Sequence, residues 1–557
     1  MIWVFRCLAW LIIWGVRLTL WGAMLGLIAS TILVFSPESS GPQCTWFFWA
    51  LGLFQPQFRV ALTQSLVLAA AVALCASVLG ETVALAAVHS RLIRGCARQA
   101  WSLGLVTTPS VAALGLRNLL GELSLEGRFA EAQLSLLELI LSQLPWSVAL
   151  VGILVSRRVR RIDLRWTDSA LLAGGRLGIA RASRLLIRPI VRAEAARACS
   201  LVFLVTITEP TAALVLGVPS NLAAQTVRLV TEGGSAPLVA VLSLAALGIG
   251  LLGFALIRVV GGVRADHRPP ASAVVNAYNC TVMARPRRPL AIALGCLALC
   301  LTLVIVLAPL AGLLAILLRS YPQFHAESDA WRALIPWLRH GLTQGAAAGS
   351  LAMVLALAWS LGSRREVGLW SSRGVPIVPA GMLAAAVVVS LSNLAKFTRF
   401  PPMLGLDRDL ILVLVLALCS FPLAVPLIRR GLPRNRSTLH DVARMAGVKG
   451  LRRIWLVEGR TLVPRILGGL LGLIWMTGLD AHASLILTSS SDFLAPGPGL
   501  IFTASSSSGP VLGAVLGAGI VLSGMVLRWM CVPAGWPGIL DGLEAGPDAS
   551  RASLSEF

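Results

Sequence analysis

Two acidic residues within apolar stretches are the strongest candidates for chemistry in this sequence. Glu209 lies in the apolar block 198–218, and Asp480 lies in the block 466–488. A charged side chain at the centre of a bilayer costs about 2.5–3.5 kcal/mol on insertion scales, so we expect each carboxylate to have a specific role. Two interpretations are open: each lines or gates a polar pathway, or each pairs with a hydroxyl, an arginine or the backbone inside a helix bundle.

The sequence lacks the residues for ATP hydrolysis. A phosphate-binding loop needs the pattern Gly-x4-Gly-Lys-Ser/Thr, which does not occur, and the chain has only two lysines, Lys396 and Lys449. The ten cysteines form neither a Cys-x2-Cys pair nor a cluster with zinc spacing. We therefore expect no catalytic residue, no metal and no cofactor in this chain. If it drives uphill movement of a solute, a partner must supply the energy.

The elements that carry the two acids are predicted to be membrane-spanning helices. Only 13% of the 557 residues are charged, about half of the roughly 25% usual in soluble domains, and 57% are hydrophobic. Twelve apolar blocks are long enough to cross about 30 Å of hydrocarbon. They fall near residues 8–35, 60–88, 100–120, 134–156, 198–218, 235–258, 290–317, 340–362, 374–395, 409–428, 466–488 and 510–531. The predicted fold class is an all-α polytopic membrane protein.

The basic residues indicate orientation. With the N-terminus inside, 35 of the 47 basic residues fall in loops on the cytoplasmic side, and ten lie in each of the loops 157–192 and 429–465. This bias predicts a plasma (inner) membrane protein with both termini cytoplasmic. The net charge of +22 is therefore spread loop by loop, unlike the basic patch of a nucleic-acid-binding domain.

The two halves of the chain are predicted to be parallel six-helix repeats. Leu62-Thr63-Gln64 recurs as Leu342-Thr343-Gln344, and the two long basic loops occupy equivalent places. This organisation predicts five segments: 1–55, an N-terminal span and outer loop; 56–260, the first unit; 261–334, a linker and connecting span; 335–531, the second unit; and 532–557, a cytoplasmic tail.

The second basic loop carries the signals of a short surface helix. Thr438-Leu439-His440-Asp441 has the form of a capping box, which predicts a helix start. Apolar residues then recur every third position from Val442 to Ile454, with basic residues between them. We expect an amphipathic segment at the membrane surface. In the first loop, Thr167-Asp168 predicts a comparable start.

The segment Asp441 to Gly447 resembles the Glu-Ala-Ala-x3-Gly loop of ABC-importer permeases. Asp441 takes the place of the glutamate, Ala443 and Gly447 match the second alanine and the glycine, and Pro464 falls where the second of two later prolines is expected. The first loop offers a weaker match, through Asp168, Ala170, Gly174 or Gly175, and Pro189.

The resemblance covers both halves and is greatest to the double-length permeases of iron(III) and thiamine uptake. It implies that the two loops dock on separate ABC ATPase subunits, two in number, which bind the ATP, and that a solute-binding protein delivers a small solute from outside. The segments 207–210 and 478–481 resemble the Gly-Glu-Phe-type turn of these permeases, with the acidic residue kept. This favours a pathway or gate role for Glu209 and Asp480.

Three other interpretations remain open from the sequence. A 6+6 secondary transporter driven by an ion gradient would fit the same number of spans. A membrane-embedded transferase would need catalytic His, Asp or Lys residues clustered at one face, whereas the six histidines are scattered. Finally, the basic loops alone would also fit segments that lie on anionic lipid.

Overall fold

The structure is a computed structural model that describes the helical parts of the chain. The described residues are 55–122, 131–159, 188–218, 221–232, 236–260, 288–324, 328–362, 408–431, 436–448, 452–453, 455–480, 482–487 and 509–531, with scattered positions between 14 and 44.

Helices dominate these ranges. In chain order they are α1 (Pro56–His89), α2 (Arg91–Val106), α3 (Pro109–Glu122), α4 (Glu131–Val159), α5 (Arg188–Thr208), α6 (Thr211–Leu216), α7 (Leu222–Thr231), α8 (Ala236–Val260), α9 (Arg288–Phe324), α10 (Ser328–Gly362), α11 (Arg408–Gly431), α12 (Arg436–Met445), α13 (Arg460–Gly478), α14 (His482–Leu487) and α15 (Gly509–Cys531). A π-helical turn, Trp455–Gly459, leads directly into α13.

The described residues confirm the all-α prediction, apart from one small sheet of two three-residue strands. Strands β1 (Leu33–Phe35) and β2 (Pro42–Cys44) pair antiparallel near the N-terminus. Just before them, Leu27 is fully buried against Val239 and Ala240 of α8, so the N-terminal segment packs on the first half of the chain.

Five helices are long and apolar enough to cross a bilayer, which makes the described chain a helical membrane protein. They are Pro56–Ala87, Ser135–Ser156, Pro237–Val260, Ile292–Arg319 and Leu338–Ser360. The apolar parts of three other helices are shorter, at Asp409–Phe421, Ile466–Gly478 and Val511–Leu527. The predicted block 374–395 lies wholly outside the described residues, and the block 8–35 is described only at scattered positions. The number twelve therefore stays a prediction.

The predicted block 100–120 is not one straight span. α2 and α3 meet at 98°, so the pair forms either a broken span or a re-entrant loop. The sequence supplies the cause: Pro109 opens α3, and a proline disfavours the helical conformation of the residue before it. Thr107, with φ −77° and ψ 95°, already has an extended conformation.

The blocks 198–218 and 466–488 are also interrupted. α5 ends at Thr208 and α6 begins at Thr211, while α13 ends at Gly478 and α14 begins at His482. Both predicted acidic candidates lie in these breaks.

Within the described residues, the helices bury two main cores. The first core joins α1 to α6 with α9 and α15, so the connecting span α9 packs on the first half. The second core joins α10, α11, α13 and α14 with α7 and α8. Each core therefore combines helices from both sides of the linker. α10 also begins at Ser328, slightly ahead of the predicted start of the second unit at 335.

Candidate gate and coupling surface

Glu209 caps the short helix that follows it. Its Oε1 accepts hydrogen bonds from the backbone N–H of Thr211, at 3.0 Å, and from the Thr211 hydroxyl. The hydroxyl of the neighbouring Thr208 donates to the carbonyl of Leu204 at 2.9 Å. Free N–H groups at a helix start are good partners for a carboxylate. The Glu209 side chain therefore stabilises the start of α6.

Asp480 occupies the same position relative to α14. Its Oδ2 accepts from the backbone N–H of Ala483 at 3.3 Å, and its carbonyl accepts from the Ser484 hydroxyl at 2.8 Å. Ala483 and the four residues that follow it in this helix are all buried. The carboxylate again satisfies a backbone donor at the start of a six-residue helix.

The two breaks match in their backbone geometry as well. The Glu209 N–H donates to the Thr206 carbonyl at 3.4 Å, and the Asp480 N–H donates to the Thr477 carbonyl at 3.3 Å. Both threonines are buried. Each half thus has a long helix, a break with an acidic cap, and a six-residue helix. The observed contacts are those of the pairing interpretation, and the pathway or gate role stays a prediction.

The end of α6 is fixed by a glycine and an arginine. Gly217 has φ +70°, and Val218 N–H donates back to the Ala213 carbonyl at 2.9 Å, which is the Schellman pattern of helix ends. Arg117 of α3 donates to the Val215 carbonyl at 3.3 Å, so a cation meets the negative end of the helix. The short helix after Glu209 is therefore held at both ends.

A glycine-lined face of α10 lets α13 approach closely. Gly341, Gly345 and Gly349 are spaced by four residues and are all buried. A Cβ on Gly345 would lie 2.3 Å from the Ile474 carbonyl oxygen, which shows how close the two backbones are. We call these three glycines the glycine track. Small residues at every fourth position are typical of close helix pairs in membranes.

The helix break at Asp480 is tied to this track. Gly478, the last residue of α13, would place a Cβ 2.5 Å from the Gly341 carbonyl oxygen. The Thr477 hydroxyl lies 3.2 Å from the Gly345 carbonyl and 2.7 Å from that of Leu473 in its own helix. The end of α13, immediately before the break, therefore packs backbone to backbone on α10.

Small residues flank the repeated tripeptide in α1 too. Three buried small residues, Ala61, Ser65 and Ala69, surround Leu62-Thr63-Gln64. They occupy the same positions relative to this tripeptide as the glycine track does relative to Leu342-Thr343-Gln344. The Ser65 hydroxyl accepts from the Leu222 N–H at 2.8 Å, at the start of α7. Sequence reasoning noted the tripeptide but missed the small residues around it, although their spacing of four was visible.

The short helix predicted in the second basic loop is present as α12, and its position at a membrane surface stays a prediction. It begins at Arg436, two residues before Thr438, so the proposed capping box lies inside the helix and the predicted start is wrong. It ends at Met445, since Gly447 has φ +76° and the Val448 N–H donates to the Ala443 carbonyl at 3.0 Å. The amphipathic segment therefore does not continue as one helix to Ile454.

The C-terminal part of α12 exposes both apolar and charged side chains. Val442 is 51% exposed and Met445 is 79% exposed, and their spacing of three places them on one face. Asp441 and Arg444 are also exposed and form an ion pair of 3.7 Å between Oδ1 and Nη2, which contributes little to stability at such exposure. α12 contacts the π-turn that leads into α13.

The other predicted loop residues have different outcomes. Pro464 lies within α13, one turn from its start, and Pro189 is exposed in the first turn of α5. Asp168, Ala170, Gly174 and Gly175 fall outside the described residues. Within the part of the chain that the structure describes, no three His, Cys, Asp or Glu side chains group closely enough to hold a metal ion.

No protein-family model, curated protein or solved structure matches this chain.

Proposed function

We propose that the chain is the membrane-spanning permease of an ATP-driven ABC importer, with both halves of the pore in one polypeptide. ATP hydrolysis takes place on separate ATPase subunits, a solute-binding protein delivers a small solute outside, and the permease alternates between outward and inward access. The cytoplasmic face carries the loops 157–192 and 429–465.

The observation that carries this proposal is α12. It is a ten-residue helix at the site of the importer-like motif, its end is defined by Gly447 at positive φ, and its described side chains from Asp441 onward are largely exposed. An isolated helix this short is marginal in water. Burial of the exposed side chains Val442 and Met445 in a groove on a partner would stabilise this helix.

The twin breaks support the same proposal. Short helices capped by Glu209 and Asp480 give each half a discontinuous helix inside an apolar bundle. In transporters, discontinuous helices place polar backbone and carboxyl groups near the midplane, where a solute passes. The contact of α14 with α7 brings the second break against a helix from the first half of the chain. A change at this contact would open or close a route between halves.

Substitutions that disrupt α12 test whether this helix docks on an ATPase subunit. The chain is purified in mild detergent from its native membrane, before and after combined Asp441→Ala and Gly447→Ala substitution, and each preparation is labelled with azido-ATP under light. We expect the wild type to retain a second polypeptide that takes up the label, and the double variant to lose most of it. A matched control is Gly95→Ala, because Gly95 is helical and a Cβ there meets nothing within 4 Å.

Two results would contradict the proposal. Labelled polypeptide retained equally by the wild type and the double variant would exclude α12 as the docking element. Absence of any labelled polypeptide, combined with solute uptake driven by a proton or sodium gradient in reconstituted vesicles, would favour the secondary transporter.

A further inference from the structure

A polar cluster joins α10 and α11 at one end of their contact. The amide nitrogen Nε2 of Gln344 lies 2.7 Å from Nε2 of His340, one turn earlier in α10, and donates to the Asp409 carboxylate oxygen Oδ1 at 3.5 Å. Gln344 is only 7% exposed, whereas His340 is half-buried and Asp409 is exposed. A buried amide therefore lies between two groups that can each gain or lose a proton.

The two contacts of Gln344 indicate the protonation state of the histidine. An amide nitrogen has two hydrogens to donate and accepts none, so it can bond to both neighbours only if His340 Nε2 is unprotonated and Asp409 is ionised. The imidazole is then neutral, and its proton is on Nδ1. The opposite orientation of the amide would place Oε1 at the same point, where it suits a protonated His340 Nε2 but repels the Asp409 carboxylate. Each orientation of the Gln344 amide therefore matches one protonation state of His340.

A second proton on His340 would break the link to α11. A hydrogen on Nε2 would meet the hydrogens of the Gln344 amide, so the amide must turn and direct Oε1 at the ring. Asp409 then loses its donor, because an amide oxygen cannot donate. An exposed carboxylate gains little from a nearby cation, so attraction to the charged ring does not replace the lost bond. Protonation of His340 therefore frees the start of α11 from α10.

The other end of the same helix pair has an apolar contact that does not depend on protons. The rings of Trp359 and Phe421 meet edge to face, with their centroids 5.4 Å apart, and both side chains are buried. Trp359 lies about four turns after Gln344 in α10, and Phe421 lies about three turns after Asp409 in α11. A change in the polar cluster therefore acts on one end of the contact and leaves the other end held.

The charged groups on the helices around His340 leave this residue as the one to titrate near neutral pH. α11 and α13 pack against α10. The charged groups near this end are Arg339 on α10, Asp409 on α11 and Asp480 just beyond the end of α13. Thr477 and Gly478, which α13 packs against α10, do not titrate. Histidine is the side chain that ordinarily changes charge between pH 5 and 8.

We propose that His340, Gln344 and Asp409 form a proton-sensitive link between α10 and α11. While His340 is neutral, the Gln344 amide joins the start of α11 to α10, and uptake of a proton by His340 breaks this link. α11 leads into the loop 429–465, which is predicted to be cytoplasmic, so the link is expected to respond to the pH outside. This inference goes beyond the proposed function and does not depend on how transport is driven.

The link belongs to the second half of the chain. The tripeptide that contains Gln344 recurs around Gln64, but Val60 takes the place of His340 there. Valine cannot bind a proton, so a change of pH acts on the two halves unequally.

The position of the proton on His340 is the first test. The chain is labelled with 15N in its histidines and reconstituted in lipid, and its 15N spectrum is recorded from pH 8 to pH 5. We expect a neutral His340 ring with its proton on Nδ1 at pH 8, and both ring nitrogens protonated at pH 5. Loss of these signals in His340→Gln identifies them among the six histidines. A neutral ring with its proton on Nε2, or a ring that stays neutral at pH 5, would overturn the proposal.

Hydrogen exchange is the second test. Exchange of the amides in 409–416 is compared with that in 417–424, which includes Phe421, after correction for the intrinsic effect of pH. We expect the protection of 409–416 relative to 417–424 to fall about fivefold from pH 8 to pH 5, because a hydrogen bond to a charged group is lost. His340→Gln should abolish this fall, since its side-chain oxygen accepts from Gln344 at either pH.

The matched control for this test is His89→Gln, at the end of α1, which should keep the fall in protection. A wild-type ratio that is unchanged or higher at pH 5 would overturn the proposed link, as would a fall that persists in His340→Gln. Either result would leave the proposed function standing, because neither measurement involves an ATPase or a solute.

Discussion

Replacement of Gly447 by alanine should weaken the end of α12 by about 1 kcal/mol. Gly447 has φ +76°, and a Cβ there would meet nothing within 4 Å, so the effect of a methyl group is conformational rather than steric. An L-residue in the left-handed region costs about 1–2 kcal/mol. A loss of 1 kcal/mol lowers the ratio of closed to open helix end about fivefold.

Hydrogen exchange of the backbone amides of Gly447 and Val448 measures this effect directly. Both N–H groups donate into the last turn, to Arg444 and Ala443 at 3.0 Å, so their protection should fall about fivefold in Gly447→Ala. Gly447→Asn is the matched variant, since asparagine tolerates the left-handed conformation better, and it should recover part of the protection. Unchanged protection in Gly447→Ala would refute the reasoning that positive φ at this glycine defines the helix end.

Two further predictions concern the bundle. Thr211→Val removes the hydroxyl that donates to Glu209. We therefore expect a loss of about 1 kcal/mol in unfolding free energy and a lower midpoint of thermal unfolding in detergent. The control, Thr211→Ser, should keep both the hydrogen bond and the midpoint. Gly115→Ala would place a Cβ 2.0 Å from the Pro309 carbonyl oxygen, so α3 and α9 must separate at a cost of about 1–3 kcal/mol, which lowers the midpoint of thermal unfolding. The control is Gly519→Ala, which should leave the midpoint unchanged because a Cβ there meets nothing within 4 Å.

Apolar runs and basic loops predicted most of the described helices but not their interruptions. The runs at 60–88, 134–156 and 235–258 correspond to uninterrupted helices, because about 20 apolar residues form intrahelical hydrogen bonds wherever water is absent. The interruptions at Thr107 and Glu209 depend on single prolines, Pro109 and Pro210, within runs of unchanged hydropathy. Reading X-Pro pairs as boundaries would have located both, but it would also have broken the continuous helix α4 at Pro145.

The roles of the acidic residues could be predicted only in part. Sequence reasoning selected Glu209 and Asp480 and placed them at equivalent positions, and both lie in matching helix breaks. Their partners, Thr211 and Ala483, could not be read from hydropathy, since a capping bond depends on where the helix restarts.

The helix that packs on the glycine track could not be predicted from the sequence, for a different reason. Spacing of four residues in Gly341, Gly345 and Gly349 indicates a close helix contact but does not identify the facing helix. That assignment depends on tertiary packing, which brings Ile474 within reach from 125 residues along the chain. The same holds for α9, whose packing on the first half no local pattern indicates.

The most direct test of the account replaces Met445 with a photoactivatable benzoyl-phenylalanine in the full chain and irradiates the native membrane. Met445 is 79% exposed on α12, and Leu252 of α8, which is 60% exposed on a membrane-spanning helix, provides the matched position. We expect position 445, and not position 252, to cross-link to a separate polypeptide that also takes up azido-ATP. Cross-linking of position 445 to lipid alone, in membranes where the chain is intact, would contradict the claim that this helix docks on an ATPase.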